Sequence, residues 1–393
     1  MPNRRQFLQR SSALAAAFAA ARLPLLHGAA PQEPAADKPV RKLRVLVLGG
    51  TGFIGPFLVK QAVARGHEVT TFNRGKSDPT AFADLPVRKL IGDRATGDLK
   101  ALEGEEFDAV VDLWPSYPKY VRQALEVLAD HCDQYLFIST ISVYQPMNQP
   151  LADETAPVMT LAEHLDPEKV QLTGATYGAL KVLCEQRAEA SMPGQVTVLR
   201  PGLIVGPEDD TDRFTYWPVR VAAGGEVLAP GTPDDPVQVV DVRDLAAFTI
   251  HCLEQSKVGV MNVTGPQGGM PIGKMLEACK EASGSDAKFT WVHDEFLDEQ
   301  KIAAWSDLPT WMSPRRDYGG IGAVSIQRAL DAGFVQRPIV ETARDTLQWY
   351  RDTQKGRALR AGMAREKETT ALAAFAAAKQ AGKGAEKAGG KRP

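Results

Sequence analysis

The stretch Val45-Leu46-Val47-Leu48-Gly49-Gly50-Thr51-Gly52-Phe53-Ile54-Gly55 runs four apolar residues straight into a glycine turn. Beyond the turn, Ile54, Phe57, Leu58, Ala62 and Val63 recur at helical spacing. Strand, turn and helix in that order predict the opening of a dinucleotide-binding unit. Gly49 allows the tight turn, Gly52 lets backbone approach a pyrophosphate, and Gly55 lets the helix lie close on the sheet. The first helical N–H groups, at Phe53 and Ile54, add free donors and partial positive charge facing that phosphate.

Outward from this corner the chain alternates strands and helices. Gly66-His67 ends the first helix, and Glu68 to Phe72 reads as the second strand. An acid at its end would grip the adenosine ribose hydroxyls and favour NAD; Asn73 followed by Arg74 suits a 2′-phosphate and favours NADP. The alternative is a neutral Asn73 that accommodates NAD, with Arg74 stacked on adenine. Leu90-Ile91-Gly92-Asp93 reads as the third strand, with Asp93 placed to touch adenine, and Phe107 to Leu113 as the fourth. A helix over Tyr117 to Leu128 and a fifth strand over Gln134 to Ser139 follow. This alternation predicts an α/β fold, a parallel sheet covered on both faces, with ligands gathered at the carboxyl ends of its strands.

The fifth strand leads into Ser139-Thr140-Ile141-Ser142-Val143-Tyr144, and further on stands Tyr177-Gly178-Ala179-Leu180-Lys181. Tyr177 and Lys181 are four apart, so both project from one helix face. An ammonium beside a phenol favours phenolate, and the Thr140 hydroxyl can hydrogen-bond a substrate oxygen. Such a trio can move a proton on a carbinol while a nicotinamide takes the hydride.

These residues resemble the extended short-chain dehydrogenase/reductase family, the NAD(P)-dependent sugar epimerases and dehydratases, from about Leu43 to Tyr350. Gly49, Gly52 and Gly55 match its cofactor turn, the Ser139 to Tyr144 run its active strand, and Tyr177 and Lys181 its Tyr-x-x-x-Lys, followed by Glu185. Leu199-Arg200-Pro201-Gly202 through Gly206-Pro207, Val240-Asp241-Val242-Arg243-Asp244-Leu245, and Gly333-Phe334, Pro338 and Trp349-Tyr350 resemble its later steps. The resemblance implies a Rossmann-like, doubly wound parallel sheet over 43–200, completed by about 237–263. A smaller C-terminal substrate lobe would be built from 201–236 and 264–352. It implies Tyr177 as acid/base, Thr140 as its partner, and Lys181 both tuning Tyr177 and holding the nicotinamide ribose. Relatives often pair through a four-helix interface that would include the Tyr177 helix, so a homodimer is expected. Two departures stand out: Asn73-Arg74 replaces the usual acid, and Asp112-Leu113-Trp114 replaces a small or His-containing segment. Some relatives, such as the chloroplast stem-loop-binding proteins, are similar but lack the Tyr/Lys pair; its presence here argues for catalysis.

On the substrate side, Glu208 to Trp217 falls in the expected lobe. Arg213, Tyr216 and Trp217 can bind a polar ring, arginine to its oxygens and the aromatics to its apolar face; Ser142 joins them from the active strand. The competing reading is a lobe helix that begins after Asp212 as N-cap, with the aromatics in the core. Trp305, Trp311, Arg315 and Arg316 read as lobe packing rather than a lid. Asp241 and Asp244 read as structural, with Asp244 capping its helix.

The ends of the chain differ from its body. Residues 1–30 hold four arginines and no acid, with Arg4-Arg5 before Phe7-Leu8 and an Ala/Leu-rich run from Ser12 to about Leu26. They resemble a twin-arginine export signal, too short and interrupted for a permanent membrane span, which implies a periplasmic protein exported already folded. Residues 31–42 read as a Pro/Ala-rich linker, and 353–393 as an Ala/Lys-rich tail, helical then disordered. Formal charge is −2 overall, yet residues 31–354 carry 32 basic against 45 acidic side chains. An acidic body argues against a nucleic-acid surface. Cys132, Cys184, Cys252 and Cys279 show no metal-ligand spacing and read as buried free thiols.

A nicotinamide enzyme in the periplasm has no obvious coenzyme pool. A tightly bound cofactor, NADP in preference to NAD, that takes and returns its own hydride removes the difficulty, as epimerisation and dehydration do. The expected substrate is a small molecule, a sugar or related polyol. The alternatives are an NADPH-dependent carbonyl reductase for an isoflavone-like ketone, and a non-catalytic NAD(P)- or RNA-binding relative.

Overall fold

The alternation in Val45-Leu46-Val47-Leu48 divides one strand between two core layers. In the computed structural model, which describes residues 41–76, 80–113, 116–354 and 356–389, with side chains to 381, Val45 and Val47 pack in one buried cluster with Leu58, Val59 and Ala62. Leu46 and Leu48 pack in another with Val121, Ala124, Leu125 and Leu128. Successive strand residues face opposite ways, so an unbroken apolar run is what a sheet covered on both faces requires.

The sheet is built from β1 (Arg44–Leu48), β2 (Glu68–Asn73), β3 (Val87–Ile91), β4 (Phe107–Asp112), β5 (Cys132–Ile138), β6 (Val196–Pro201) and β11 (Gly259–Val263). Their spatial order is β11-β6-β5-β4-β1-β2-β3, and every pair is parallel. The order reverses between β1 and β4, which opens a crevice at their carboxyl ends. Helix α1 (Ile54–Ala64) and helix α5 (Val242–Glu254) cover one face; α2 (Pro118–Leu128) and α3 (Gly174–Ser191) cover the other. The sheet is thus the doubly wound, Rossmann-like α/β arrangement.

The lobe contains β7 (Leu203–Val205) paired with β10 (Val239–Asp241), β8 (Glu226–Pro230) with β13 (Lys288–Val292), and β9 (Pro236–Val237) with β12 (Met270–Pro271). Helices α4 (Tyr216–Ala222), α6 (Ile272–Ser283) and α9 (Ile339–Thr353) pack together around its own core, separate from the two sheet layers. The short α7 (Asp294–Glu299) packs in this lobe core, whereas α8 (Gln327–Asp331) packs beside β11 in the sheet core through Ala329.

Several expectations shift. The third strand lies earlier than expected and ends at Ile91, because Gly92 and Asp93 turn to form a bridge from Asp93 to Asp98. Helix α4 begins after Thr215, not after Asp212; Asp212 instead takes a bidentate contact from Arg357 at 2.8 and 2.9 Å. Asp241, not Asp244, caps α5, accepting the Arg243 N–H at 2.8 Å, while Asp244 binds Arg337. The helical part of the tail is attached to the lobe. Helix α10 (Arg365–Gly389) docks on the lobe through buried Ala371 and Leu372. Its fully buried Glu368 meets Arg220 at 2.6 Å. The apolar residues of this helix are mostly alanines, so no broad stripe betrays its docking face.

All four cysteines are buried. Among the described residues no helix is long and apolar enough to cross a membrane. The export signal at 1–30, the linker up to residue 40, Trp114 and residues 390–393 of the tail lie outside the described residues.

Candidate active site

A cleft of about 890 Å³ runs along the carboxyl ends of the strands and under the lobe. One end is backbone. Gly49, at φ +89°, makes the turn, and a Cβ on Gly55 would meet the Gly50 carbonyl oxygen at 2.1 Å. Only hydrogen fits there, so α1 can start directly beneath β1. A Cβ on Gly52 would meet nothing closer than 3.9 Å, so this flank of the turn is open. Helix α1 has no capping side chain, and Thr51, Gly52, Phe53 and Ile54 border the cleft. Uncapped helix N–H donors with open space before them suit a pyrophosphate.

Beyond the turn, Asn73, Arg74, Lys76 and Asp93 border the same cleft. Asn73 Oδ1 accepts the Gly75 N–H at 2.9 Å, which fixes the loop and leaves exposed Arg74 and Lys76 as the charges at this end. Asp93 accepts the Ala95 N–H at 2.9 Å and so shapes its own turn. These residues fit a dinucleotide: donors for the pyrophosphate, cations for a ribose phosphate, and a carboxylate beside the adenine end.

The other end is side chains. Ser139, Thr140, Ser142 and Tyr177 border it from below, and Asp209, Thr211, Arg213 and Trp305 from the lobe. Tyr177 rides on α3, opened by a capping box between Thr173 and Thr176. Gly178 lets that helix close on the active strand: a Cβ there would meet the Ser142 carbonyl oxygen at 2.1 Å. The Thr140 hydroxyl lies beside the Tyr177 phenol and favours its ionised form. Thr140 Oγ1 accepts the Ser142 N–H at 3.1 Å, which leaves its own proton for that phenol. Burial pushes the phenol above its ordinary range; Thr140 and the Arg213 charge pull it back.

Lys181 takes a different position from the one expected. It does not border the cleft; it is buried beneath it, its Nζ donating to the Ile138 carbonyl at 2.6 Å and lying 4.3 Å over the Phe137 ring. Burial pushes its ionisation down to about 8. Tyr216 and Trp217 are corrected outright. Both are core residues of the lobe, and the Trp217 indole N–H donates to the Pro309 carbonyl at 2.6 Å. The aromatic that does reach the cleft is Trp305, with the Arg213 guanidinium 6.0 Å over its ring. Trp311 is buried, bonded to Asp235.

Two buried networks brace this centre, and neither was visible in the sequence pattern. Asp112, fully buried at the end of β4, takes a bidentate contact from Arg94 at 2.7 and 2.8 Å and a bond from the Tyr135 hydroxyl. Asp112 of the odd segment after the fourth strand is therefore one half of an internal ion pair, with Arg94 bordering the cleft. Glu185 accepts from Ser139 and, bidentate, from Arg200, which also reaches the Tyr144 hydroxyl at 3.0 Å. Glu185 thus fixes the end of β5 to α3, the two elements that carry Thr140 and Tyr177. Among the described residues no cluster of His, Cys, Asp and Glu could hold a metal.

The family model described as NAD dependent epimerase/dehydratase family matches residues 45–264. The chloroplast stem-loop binding protein of 41 kDa b of Arabidopsis thaliana is 29% identical over 61% of this chain and 63% of its own length. The 2-alkyl-3-oxoalkanoate reductase of Stenotrophomonas maltophilia is 30% identical over 42% of this chain and 52% of its own. In neither case does the match reach two thirds of the relative's length. A human epimerase family protein solved with NADPH superposes with a TM-score of 0.52 at 20% identity, covering 78% of this chain and 99% of that one; it shares the fold.

Proposed function

The chain belongs to the NAD dependent epimerase/dehydratase family, and on that premise we propose that it binds NAD(P) in this cleft and acts on a sugar or related polyol by an epimerase/dehydratase-type cycle. One observation carries the reading: Thr140, Tyr177 and Arg213 line the same cleft as the uncapped helix behind the glycine turn. When bound, the dinucleotide supplies a hydride acceptor and donor. Tyr177 takes the carbinol proton as phenolate and returns it as phenol. Thr140 steadies the phenol oxygen, and Ser142 and Arg213 offer polar partners to a hydroxylated substrate. The Trp305 ring beside them suits the apolar face of a sugar ring.

Arg74 and Lys76 at the end of β2, with no acid there, support NADP. The twin-arginine signal read at 1–30 supports a periplasmic protein that is exported with its cofactor already bound. A redox-neutral cycle follows from that compartment, since a spent cofactor would have no pool to exchange with. A second reading, an NADPH-dependent carbonyl reductase, is favoured by the same two cations.

One experiment separates them. Small molecules released on denaturing the purified folded protein are identified by mass spectrometry, and turnover of dialysed protein on sugars and polyols is measured with and without NADPH. Released dinucleotide and turnover without added coenzyme are expected. Absolute dependence on stoichiometric NADPH would select the reductase, and failure to retain or bind either coenzyme would overturn the enzymatic reading.

A further inference from the structure

Two loops of the lobe wall one end of the cleft. Thr211 and Arg213 border it from the first, Trp305 and Thr310 from the second. Both loops are held in backbone conformations that side chains resist. Among the described residues eight besides glycine have positive φ, and five of them fall here. Glu208 at +71° and Asp212 at +58° flank the first loop; Lys301 at +53°, Trp305 at +67° and Thr310 at +69° shape the second. An aspartate enters this region readily. A bulky tryptophan or a β-branched threonine stays there only where its surroundings enforce it.

Part of that enforcement comes from the returning end of the chain, between α9 and the first turn of α10. Arg357 donates to both oxygens of fully buried Asp212, at 2.8 and 2.9 Å, and the Arg360 N–H joins it at 2.9 Å. Arg360 Nη1 reaches the Asp210 carbonyl at 2.9 Å and its carboxylate at 3.0 Å. The Gly362 N–H donates to the Ser306 carbonyl at 3.1 Å. A Cβ on Gly362 would meet the Tyr216 ring at 2.0 Å, so only glycine lets the chain lie this close on α4. Lys367 Nζ donates to the Lys301 carbonyl at 2.9 Å and to Asp307 at 2.8 Å.

Resting on the reading of Arg213 and Trp305 as substrate-end groups, we propose that residues 357–367 are a strap that positions them. Arg357 acts through Asp212 on the loop that carries Arg213. Gly362 and Lys367 act through Ser306, Lys301 and Asp307 on the loop that carries Trp305. Neither Arg357 nor Lys367 borders the cleft, so both are positioning residues. The strap lies beyond residues 45–264, the part of the chain that the family model matches. A loop freed from it relaxes toward negative φ and swings its side chains. Tied at both loops, the Arg213 guanidinium keeps its place 6.0 Å over the Trp305 ring. The wall is then formed before a ligand arrives, and binding does not bear the cost of ordering it.

The test needs no substrate. Protein labelled with 5-fluorotryptophan carries a 19F reporter at each of its six tryptophans, and the Trp305 resonance is assigned by its loss in Trp305→Phe. Arg357→Met is expected to speed amide exchange over residues 208–216 by about tenfold, and Lys367→Met over 301–311 by a similar factor, with β1 and β5 unchanged. Both are expected to shift or broaden the Trp305 resonance. Arg357→Lys, which keeps the charge and loses the fork, should fall between Arg357→Met and the natural protein. Where Arg357→Met strands buried Asp212 and does not fold, Lys367→Met, at a half-exposed position, carries the test. A strap that only added stability would speed exchange evenly through the lobe and leave the Trp305 resonance of the folded protein in place. That result, or a folded Lys367→Met protein with both readouts unmoved, would overturn the proposal. Failure to bind NADPH or NADH would instead sink the enzymatic reading and leave the 19F and exchange results as they stand.

Discussion

The ion pairs that brace the site in the sheet half and those that brace the lobe span different distances along the chain. In the sheet half, Arg94 binds Asp112 only 18 residues away, and Arg200 reaches back 15 residues to Glu185. In the lobe, Arg220 binds Glu368 across 148 residues, Arg357 binds Asp212 across 145, and Arg315 binds Asp235 across 80. One half closes the braces beside its site locally, although long ties such as Arg65 to Glu254, 189 residues apart, also join it. The other is closed by the last part of the chain returning to the segment that lines the cleft. Arg357 and Arg360 bind Asp212 and Asp210, sequence neighbours of the cleft-lining Asp209 and Arg213. The lobe end of the cleft is thus tied to the C-terminal region.

Glu368→Ala should show this most strongly. Fully buried Glu368 binds Arg220, Arg365 and the Leu228 N–H. Removing it strands the Arg220 guanidinium in the lobe core, at a cost of about 3–5 kcal/mol. Urea unfolding should show the loss, while dinucleotide affinity of the folded protein stays within a few-fold. Loss of dinucleotide binding in the folded variant would show that the halves are not separable in this way.

Gly55→Ala is the counterpart in the sheet half. Its methyl would meet the Gly50 backbone, which cannot yield without moving the turn. A destabilisation of roughly 2–3 kcal/mol, typical of overpacking, should come with loss of dinucleotide binding measured by calorimetry. Retained affinity would mean that the turn does not hold the pyrophosphate.

Lys181→Met should give the smallest effect, and of opposite sign. Burial lowers the Lys181 ionisation from 10.5 to about 8. Between those values the unfolded chain binds more protons, so stability rises with pH in that window; below it the full cost of a buried ammonium is present. The substitution should raise unfolding free energy by about 1–3 kcal/mol near neutral pH, shrinking as pH approaches the ordinary lysine range. Chemical denaturation at both ends of the window checks it. A destabilised variant at neutral pH would show that the Ile138 carbonyl and the Phe137 ring more than repay the burial.

What could be read from the sequence follows the same division. The glycine corner, the strand–helix alternation and the Thr140 and Tyr177 placements are local patterns whose spacing carries their geometry. Tyr216 and Trp217 share a helix beside the cleft, and only the three-dimensional packing of the lobe turns them inward and brings Trp305 to the surface instead. Arg94, Asp112 and Asp209 carry no periodic signal, because each is placed by its partner. Lys181 has the expected spacing from Tyr177, yet spacing does not say that its ammonium turns down toward Ile138.

The account's central claim is tested most directly in a single preparation of Tyr177→Phe, in which coenzyme binding and turnover are measured together. On the proposed acid–base role of the phenol, affinity should stay near that of the natural protein while turnover falls by about 10²–10⁴. Turnover undiminished at unchanged affinity would contradict the account.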